Sequence, residues 1–315
     1  MPNTDILFKS TTNCSIDTII EPLMEYQGVE LAILREDLIN AEISGNKFRK
    51  LKYNLLEAEK QQKDTLLTYG GAFSNHIAAT AKAGALCGFK TIGIIRGEEL
   101  GADFNKTLKQ NKTLEFAYNC GMHFKFVTRT AYRDKASSYF QEELKADYGE
   151  FYDIPEGGTN HLAVKGCEEI LNATTARFDY IASAVGTGGT IAGIINGSLP
   201  HQKVIGFPAL KGDFLDNEIK KYTQKQNWEL IKDYNFGGYA KFNSELISFI
   251  NNFKVNHKIQ LDPIYTGKMM YGLIDLISNS YFSKNTRILA VHTGGLQGIA
   301  GINNRLQKAG KPTIK

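Results

Sequence analysis

The chain has 315 residues, 42% hydrophobic and 22% charged, with 37 basic against 33 acidic side chains and a formal net charge of +4. This is the composition of an ordinary globular protein, long enough for one large α/β domain or for two lobes. The charge balance is too even for a nucleic-acid stripe and suits a small anionic ligand instead.

From the N-terminus, MPNTDILFKS (1–10) lacks a basic region followed by an apolar one, so no signal peptide is expected. No apolar run reaches the roughly 18 residues that a membrane helix needs. Cys14, Cys87, Cys120 and Cys167 stand far apart, which points to free thiols in a cytoplasmic protein with neither a disulfide framework nor a metal site. VELAIL (29–34) reads as a strand. From Phe48 onward Leu51, Leu55 and Ala58 fall on one helical face. TLLTYGG (65–71) is a strand ending in glycines, followed by a helix over 74–88. A strand follows at 90–97, then a polar helix to about Cys120, a strand at 123–128 and a helix over 131–147. FYDIPEGGTN (151–160) is a strand running into a loop, and 161–174 is helical. DYIASAVGTGGTIAGII (179–195) is strand, glycine loop and helix. A strand at 203–207, helices at 243–253 and 267–282 and a buried strand at 286–295 complete the chain. The βα alternation predicts parallel sheets covered by helices on both faces.

Four places could carry chemistry. In EISGNKFRKLKYNL (42–55), Lys47 opens a helix, where the macrodipole disfavours a positive charge. The dipole, Arg49 and Lys50 together favour its neutral amine, which can attack an aldehyde; the alternative is a surface lysine at a helix start. In YGGAFSNHIAA, Ser74 and Asn75 read as helix caps or as groups facing a ligand, and His76 as a structural histidine or a ligand neighbour. AVGTGGTIAG offers Thr187, Gly188, Gly189 and Thr190 as a phosphate cup. The rivals are a structural turn and a dinucleotide loop, but Ile191 stands where the latter needs its third glycine. In AVHTGG, Thr293 could satisfy local backbone or bond a ring nitrogen. Pyridoxal 5'-phosphate unites an aldehyde, a phosphate and a ring nitrogen. A nicotinamide-dependent oxidoreductase is the rival of another class.

SGNKFRKL, YGGAFSNHIAATA, AVGTGGTIAG, LDPIYTGKMMYGLIDLI and AVHTGG, in this order, resemble the motifs of the D-cysteine desulfhydrase / 1-aminocyclopropane-1-carboxylate (ACC) deaminase family, which are fold type II pyridoxal-phosphate enzymes. The resemblance runs from about Glu30 to about Gly298. It implies a two-lobed α/β fold with the cofactor in the interdomain cleft. The large domain would be 1–47 plus 161–315, and the small domain 48–160. It implies Lys47 as the Schiff-base lysine, Asn75 at the cofactor's 3'-oxygen and Thr187 to Thr190 at its phosphate. Thr293 would meet the ring nitrogen, Ser74 and His76 the substrate, and Tyr265 and, more loosely, Tyr239 would stand beside it. Ser44 replaces the family's first glycine. ACC deaminases typically carry glutamate where this chain has Thr266, whereas HTGG is typical of the desulfhydrases. The resemblance therefore implies α,β-elimination from a small amino acid, D-cysteine foremost, with ACC deamination as the alternative and a homodimer as the usual assembly. A cofactor-binding protein without turnover is the non-enzyme reading. Glu156 has no assigned role.

Overall fold

The computed structural model describes residues 4–9 and 14–315, so the N-terminal reading of residues 1–10 rests partly on residues outside those described. The chain forms two compact units. The larger comprises Thr12–Lys50 and His161–Lys315, and the smaller comprises Leu51–Asn160 together with the chain's start. Thr4 donates its backbone N–H, at 3.3 Å, and its hydroxyl to Glu59 of the smaller unit. The other change of unit falls after Lys50, inside the helix Asn46–Lys60.

Ten strands are described: β1 (Ile16–Ile19), β2 (Glu30–Leu34), β3 (Thr65–Gly71), β4 (Lys90–Arg96), β5 (Met122–Val127), β6 (Tyr152–Ile154), β7 (Tyr180–Val185), β8 (Lys203–Pro208), β9 (Trp228–Leu230) and β10 (Arg287–Val291). The larger sheet has the order β1-β2-β10-β7-β8-β9, and the smaller β5-β4-β3-β6. Every pairing is parallel except that of β1 with β2.

Both sheets bury both faces, which is why their strands read as continuous apolar runs. In the larger unit Leu31, Ile33, Ala182, Ile205 and Ile288 point to one core, while Ala32, Leu34, Ile181, Val204 and Leu289 point to the other. In the smaller unit Leu67, Ile92 and Ile94 face one helical layer, and Ile95 and Met122 face another. β10 lies between β2 and β7, with Val291 opposite Leu34 on one side and Ser183 on the other. The loops that follow these strands therefore leave the same edge side by side, the position at which open α/β sheets bind ligands.

Three expected helices are interrupted, each for a local reason. The polar helix before Cys120 is two, Phe104–Gln110 and Lys112–Asn119. Asn111 between them is extended, and its Oδ1 accepts from the N–H groups of Thr113 and Leu114 at 3.0 and 3.1 Å. The helix over 131–147 is also two, Arg129–Arg133 and Ser138–Tyr148, with Ser137 capping the second. The helix from His161 stops at Glu168, and Asn172 caps a separate turn at Ala173–Thr175.

Candidate active site

In the larger unit the predicted residues are joined by main-chain contacts. Gly45 has φ +65°, and a Cβ there would lie 2.0 Å from the Thr293 carbonyl oxygen. Only glycine allows this turn to press against the loop after β10. The Asn46 N–H donates to that same oxygen at 3.2 Å. The Asn46 side chain donates to Thr190 Oγ1 at 2.7 Å. The residue before Lys47 thus ties together the loops after β7 and β10. On the other side of the glycine loop, a Cβ on Gly186 would meet the Tyr265 ring at 3.2 Å. The Tyr265 ring in turn faces the Tyr239 ring edge-on, with centroids 6.3 Å apart.

Lys47 stands in the first turn of its helix. It is partly buried, and its pKa is held well below the ordinary lysine value. Desolvation is the main cause, the charge of Lys50 adds to it, and Cys167 opposes it. Lys50 is itself 2% exposed, and burial draws its pKa down to about 8. The expected contribution of Arg49 is corrected. Its guanidinium grips Glu36 at 2.8 and 3.0 Å, with Glu169 3.7 Å away, so its charge is neutralised locally.

The glycine loop ends in the helix Gly189–Gly197, whose N-cap is Gly188 at φ +87° and which has no side-chain cap. Gly188, Gly189 and Thr190 are buried and Thr187 is exposed. Uncapped N–H groups and the positive helix end favour an anion there. Thr293 is 8% exposed, and its hydroxyl makes no hydrogen bond among the described residues. Next to it, His292 donates from Nε2 to the Gln260 carbonyl at 2.7 Å and accepts the Gly294 N–H at Nδ1.

Thr266 is used differently. It is fully buried, and its hydroxyl donates to Asp262 Oδ1 at 2.8 Å. Asp262 also accepts the backbone N–H groups of Ile264, Tyr265 and Thr266 at 2.7–2.9 Å. Asp262 is therefore what fixes Tyr265 at the start of the helix Thr266–Ser278. The sequence analysis gave it no role, although an aspartate before proline at a helix entry is a recognisable turn signal. Two further residues were missed: Asn46, and Lys268, whose buried ammonium donates to the carbonyls of Asn235 and Gly238 at 2.7 and 2.8 Å.

The smaller unit holds the other three predicted residues. Ser74 caps the helix Asn75–Cys87, its Oγ accepting the Ile77 N–H at 3.3 Å, which leaves its proton to donate. The Oδ1 of Asn75 is buried and has no hydrogen-bond partner among the described residues. His76 is 1% exposed and hydrogen-bonds the Thr68 hydroxyl through Nε2 at 2.8 Å. That hydroxyl donates to the Ile154 carbonyl at 2.8 Å, so the His76 Nε2 carries the proton. Glu156 pairs with Lys135 at 3.1 Å.

Among the described residues no group of His, Cys, Asp and Glu could hold a metal ion, and no helix is long and apolar enough to cross a membrane. Residues 18–294 match the family model described as "Pyridoxal-phosphate dependent enzyme". A putative ACC deaminase of Pyrococcus horikoshii is 31% identical, over 89% of this chain and 88% of that protein. A bifunctional D-cysteine desulfhydrase/ACC deaminase of Arabidopsis thaliana, a mitochondrial protein, is 34% identical over 86% of this chain and 74% of its own length. The crystal structure of an ACC deaminase homologue superposes with a TM-score of 0.77 at 28% identity, covering 98% of this chain and 99% of that one.

Proposed function

The chain belongs to the pyridoxal-phosphate-dependent enzymes, among the ACC deaminase and D-cysteine desulfhydrase relatives, and from that premise we propose that it eliminates the β-substituent of a small amino acid, D-cysteine foremost. With D-cysteine and water the products are pyruvate, ammonia and sulfide. The observation that carries this reading is the contrast between two threonines. Thr293, 8% exposed, stands beside the Lys47 turn and its hydroxyl has no partner among the described residues, whereas the Thr266 hydroxyl is committed to Asp262.

The residues fit the cofactor. In the larger unit Lys47 offers an amine whose neutral form burial favours, the helix entry at Gly188–Thr190 offers uncapped N–H groups and Thr293 offers a hydroxyl; in the smaller unit Asn75 offers an unmatched Oδ1. Bound there, pyridoxal phosphate supplies an aldehyde for covalent attachment and an electron-withdrawing ring. Lys47 would anchor it, and Lys47 Nζ would take the Cα proton, with the Tyr265 hydroxyl as the rival base. Thr187 to Thr190 would hold the phosphate, and a phosphate there would favour the charged form of the buried Lys50, whose pKa burial lowers to about 8. Thr293 meets the ring nitrogen with a hydroxyl, which does not hold it protonated as a carboxylate would. The weaker electron sink suits expulsion of a good leaving group. In the larger unit Tyr239 and Tyr265 would stand beside the substrate; in the smaller unit Ser74 would serve the substrate and Asn75 the cofactor's 3'-oxygen. His76, bonded to Thr68 through Nε2, would support the position of Ser74 and Asn75.

ACC deamination, giving 2-oxobutanoate and ammonia, is the second reading, favoured by the name of the Pyrococcus relative. One screen separates the two: ammonia release from D- and L-cysteine, D- and L-serine, β-chloroalanine and ACC. Fastest release from D-cysteine supports the proposal. Fastest release from ACC replaces it with the second reading, and no release from any of them removes both.

A further inference from the structure

We infer that Lys268 is a positioning residue for the substrate end of the site: its ammonium, held between the carbonyls of Asn235 and Gly238, sets Tyr239 against Tyr265. The inference rests on the proposed reading that these two tyrosines stand beside the substrate.

Lys268 sits in the first turn of the helix Thr266–Ser278 and is 1% exposed. A lysine rarely stays inside a protein unless its charge is matched. Here the match is two main-chain oxygens of one short turn, at 2.7 and 2.8 Å, with Asp262 as the nearby negative charge. Burial still draws the amine down to about 8, against the pull of Asp262.

The turn needs an external hold. Phe236, Gly237, Gly238 and Ala240 all have positive φ, at 53°, 90°, 109° and 54°. Two of these are not glycine, and such backbone persists only where its surroundings impose it. Within the turn, Asn235 Oδ1 accepts the Gly237 N–H at 2.8 Å, and the Asn235 side chain donates to the Lys232 carbonyl at 2.8 Å. Lys268 adds the restraint that comes from a different element, a regular helix. Tyr239 lies between Gly238 and Ala240, so the orientation of the Gly238 carbonyl passes directly to it.

The same short segment fixes the other tyrosine. Asp262 accepts the Tyr265 N–H at 2.9 Å. Residues 262–268 therefore place both rings, one through a carboxylate and the other through an ammonium. This gives a task to the lysine of LDPIYTGK, to which the reaction itself assigns none.

The test compares Lys268→Met, Lys268→Arg, Tyr239→Ala and the double variant Lys268→Met/Tyr239→Ala, each loaded with cofactor and assayed with D-cysteine and with ACC. Lys268→Met is expected to lower kcat/KM about tenfold or more, mostly through KM, while the bound-cofactor absorbance is kept. Lys268→Arg, which can still donate to two carbonyls, is expected to recover to within about threefold of the parent. In the Tyr239→Ala background, Lys268→Met is expected to change kcat/KM by less than about twofold, since coupled residues lose their effect together. Where Lys268→Met does not fold, Lys268→Gln is judged by the same criteria. Impaired Tyr239→Ala with silent Lys268→Met overturns the inference alone. Unchanged kinetics in Tyr239→Ala overturn the reading of Tyr239 and the inference with it. An undiminished effect of Lys268→Met in the double variant assigns its action elsewhere and likewise overturns it.

Discussion

In the larger unit, the polar groups after β7 and β10 keep unused valence: the Thr293 hydroxyl lacks a partner among the described residues, and the helix from Gly189 has no side-chain cap. In the smaller unit, the equivalent place after β3 is satisfied in part. The Ser74 oxygen caps its own helix and His76 Nε2 is hydrogen-bonded to Thr68, whereas the buried Asn75 Oδ1 and His76 Nδ1 have no hydrogen-bond partner among the described residues. The difference teaches where chemistry and architecture divide. Groups proposed to meet the cofactor are left open by the protein. Groups that shape the fold around them find partners within it, because an unmade buried hydrogen bond costs about 1–3 kcal/mol.

The contrast breaks most visibly at Lys47. Lys47→Ala is expected to lower ammonia release by about 10³-fold or more, since it removes both the anchor and a proton-transfer group. Near-parental turnover in a stopped or continuous ammonia assay would refute its role. Next is the support beneath the larger unit's site. Asp262→Ala leaves three backbone N–H groups and the Thr266 hydroxyl unmatched, and should lower stability by about 3 kcal/mol, read as denaturant midpoint. An unchanged midpoint would mean that Asp262 does not organise the Tyr265 turn.

His76 gives a sharper comparison. His76→Leu is expected to cost about 1–2 kcal/mol of stability while KM for the preferred substrate stays within about twofold, because its hydrogen bond is internal to the smaller unit. A large rise in KM at unchanged melting temperature would show instead that the ring touches substrate. The smallest effect is expected at Thr293. Thr293→Val, which keeps shape and removes the hydroxyl, should weaken cofactor binding about tenfold or less, the worth of about one hydrogen bond. Spectroscopic titration of the cofactor-free variant reads this directly, and an unaltered affinity would remove Thr293 from the ring nitrogen.

The sequence carried the sheets well, because strands buried on both faces leave short apolar runs such as those at 181–185 and 288–291. It carried poorly the elements that tertiary contact creates. β1 and β9 are four and three residues long and lie at the edges of the larger sheet, too short to show a period. The breaks at Asn111 and Ser137 depend on single side-chain caps inside stretches of otherwise good helical pattern. At the site, Lys47, the glycine loop and Thr293 were legible because their residue types are unusual at strand ends and helix mouths. Lys268 was not, since it reads as one more polar residue before the apolar run that follows it. Arg49 misled in the opposite direction: its charge was visible in the sequence, but the Glu36 that neutralises it is brought near only by folding.

The central claim is that one particular amine, and not its buried neighbour, carries the cofactor. Reduction of the cofactor-loaded protein with borohydride, followed by peptide mass spectrometry, tests it most directly. The expected result is the reduced pyridoxyl-phosphate mass on Lys47 alone, with Lys50 and Lys268 unmodified. The label on Lys50 or another lysine, or none anywhere in a protein shown to bind the cofactor, would contradict it.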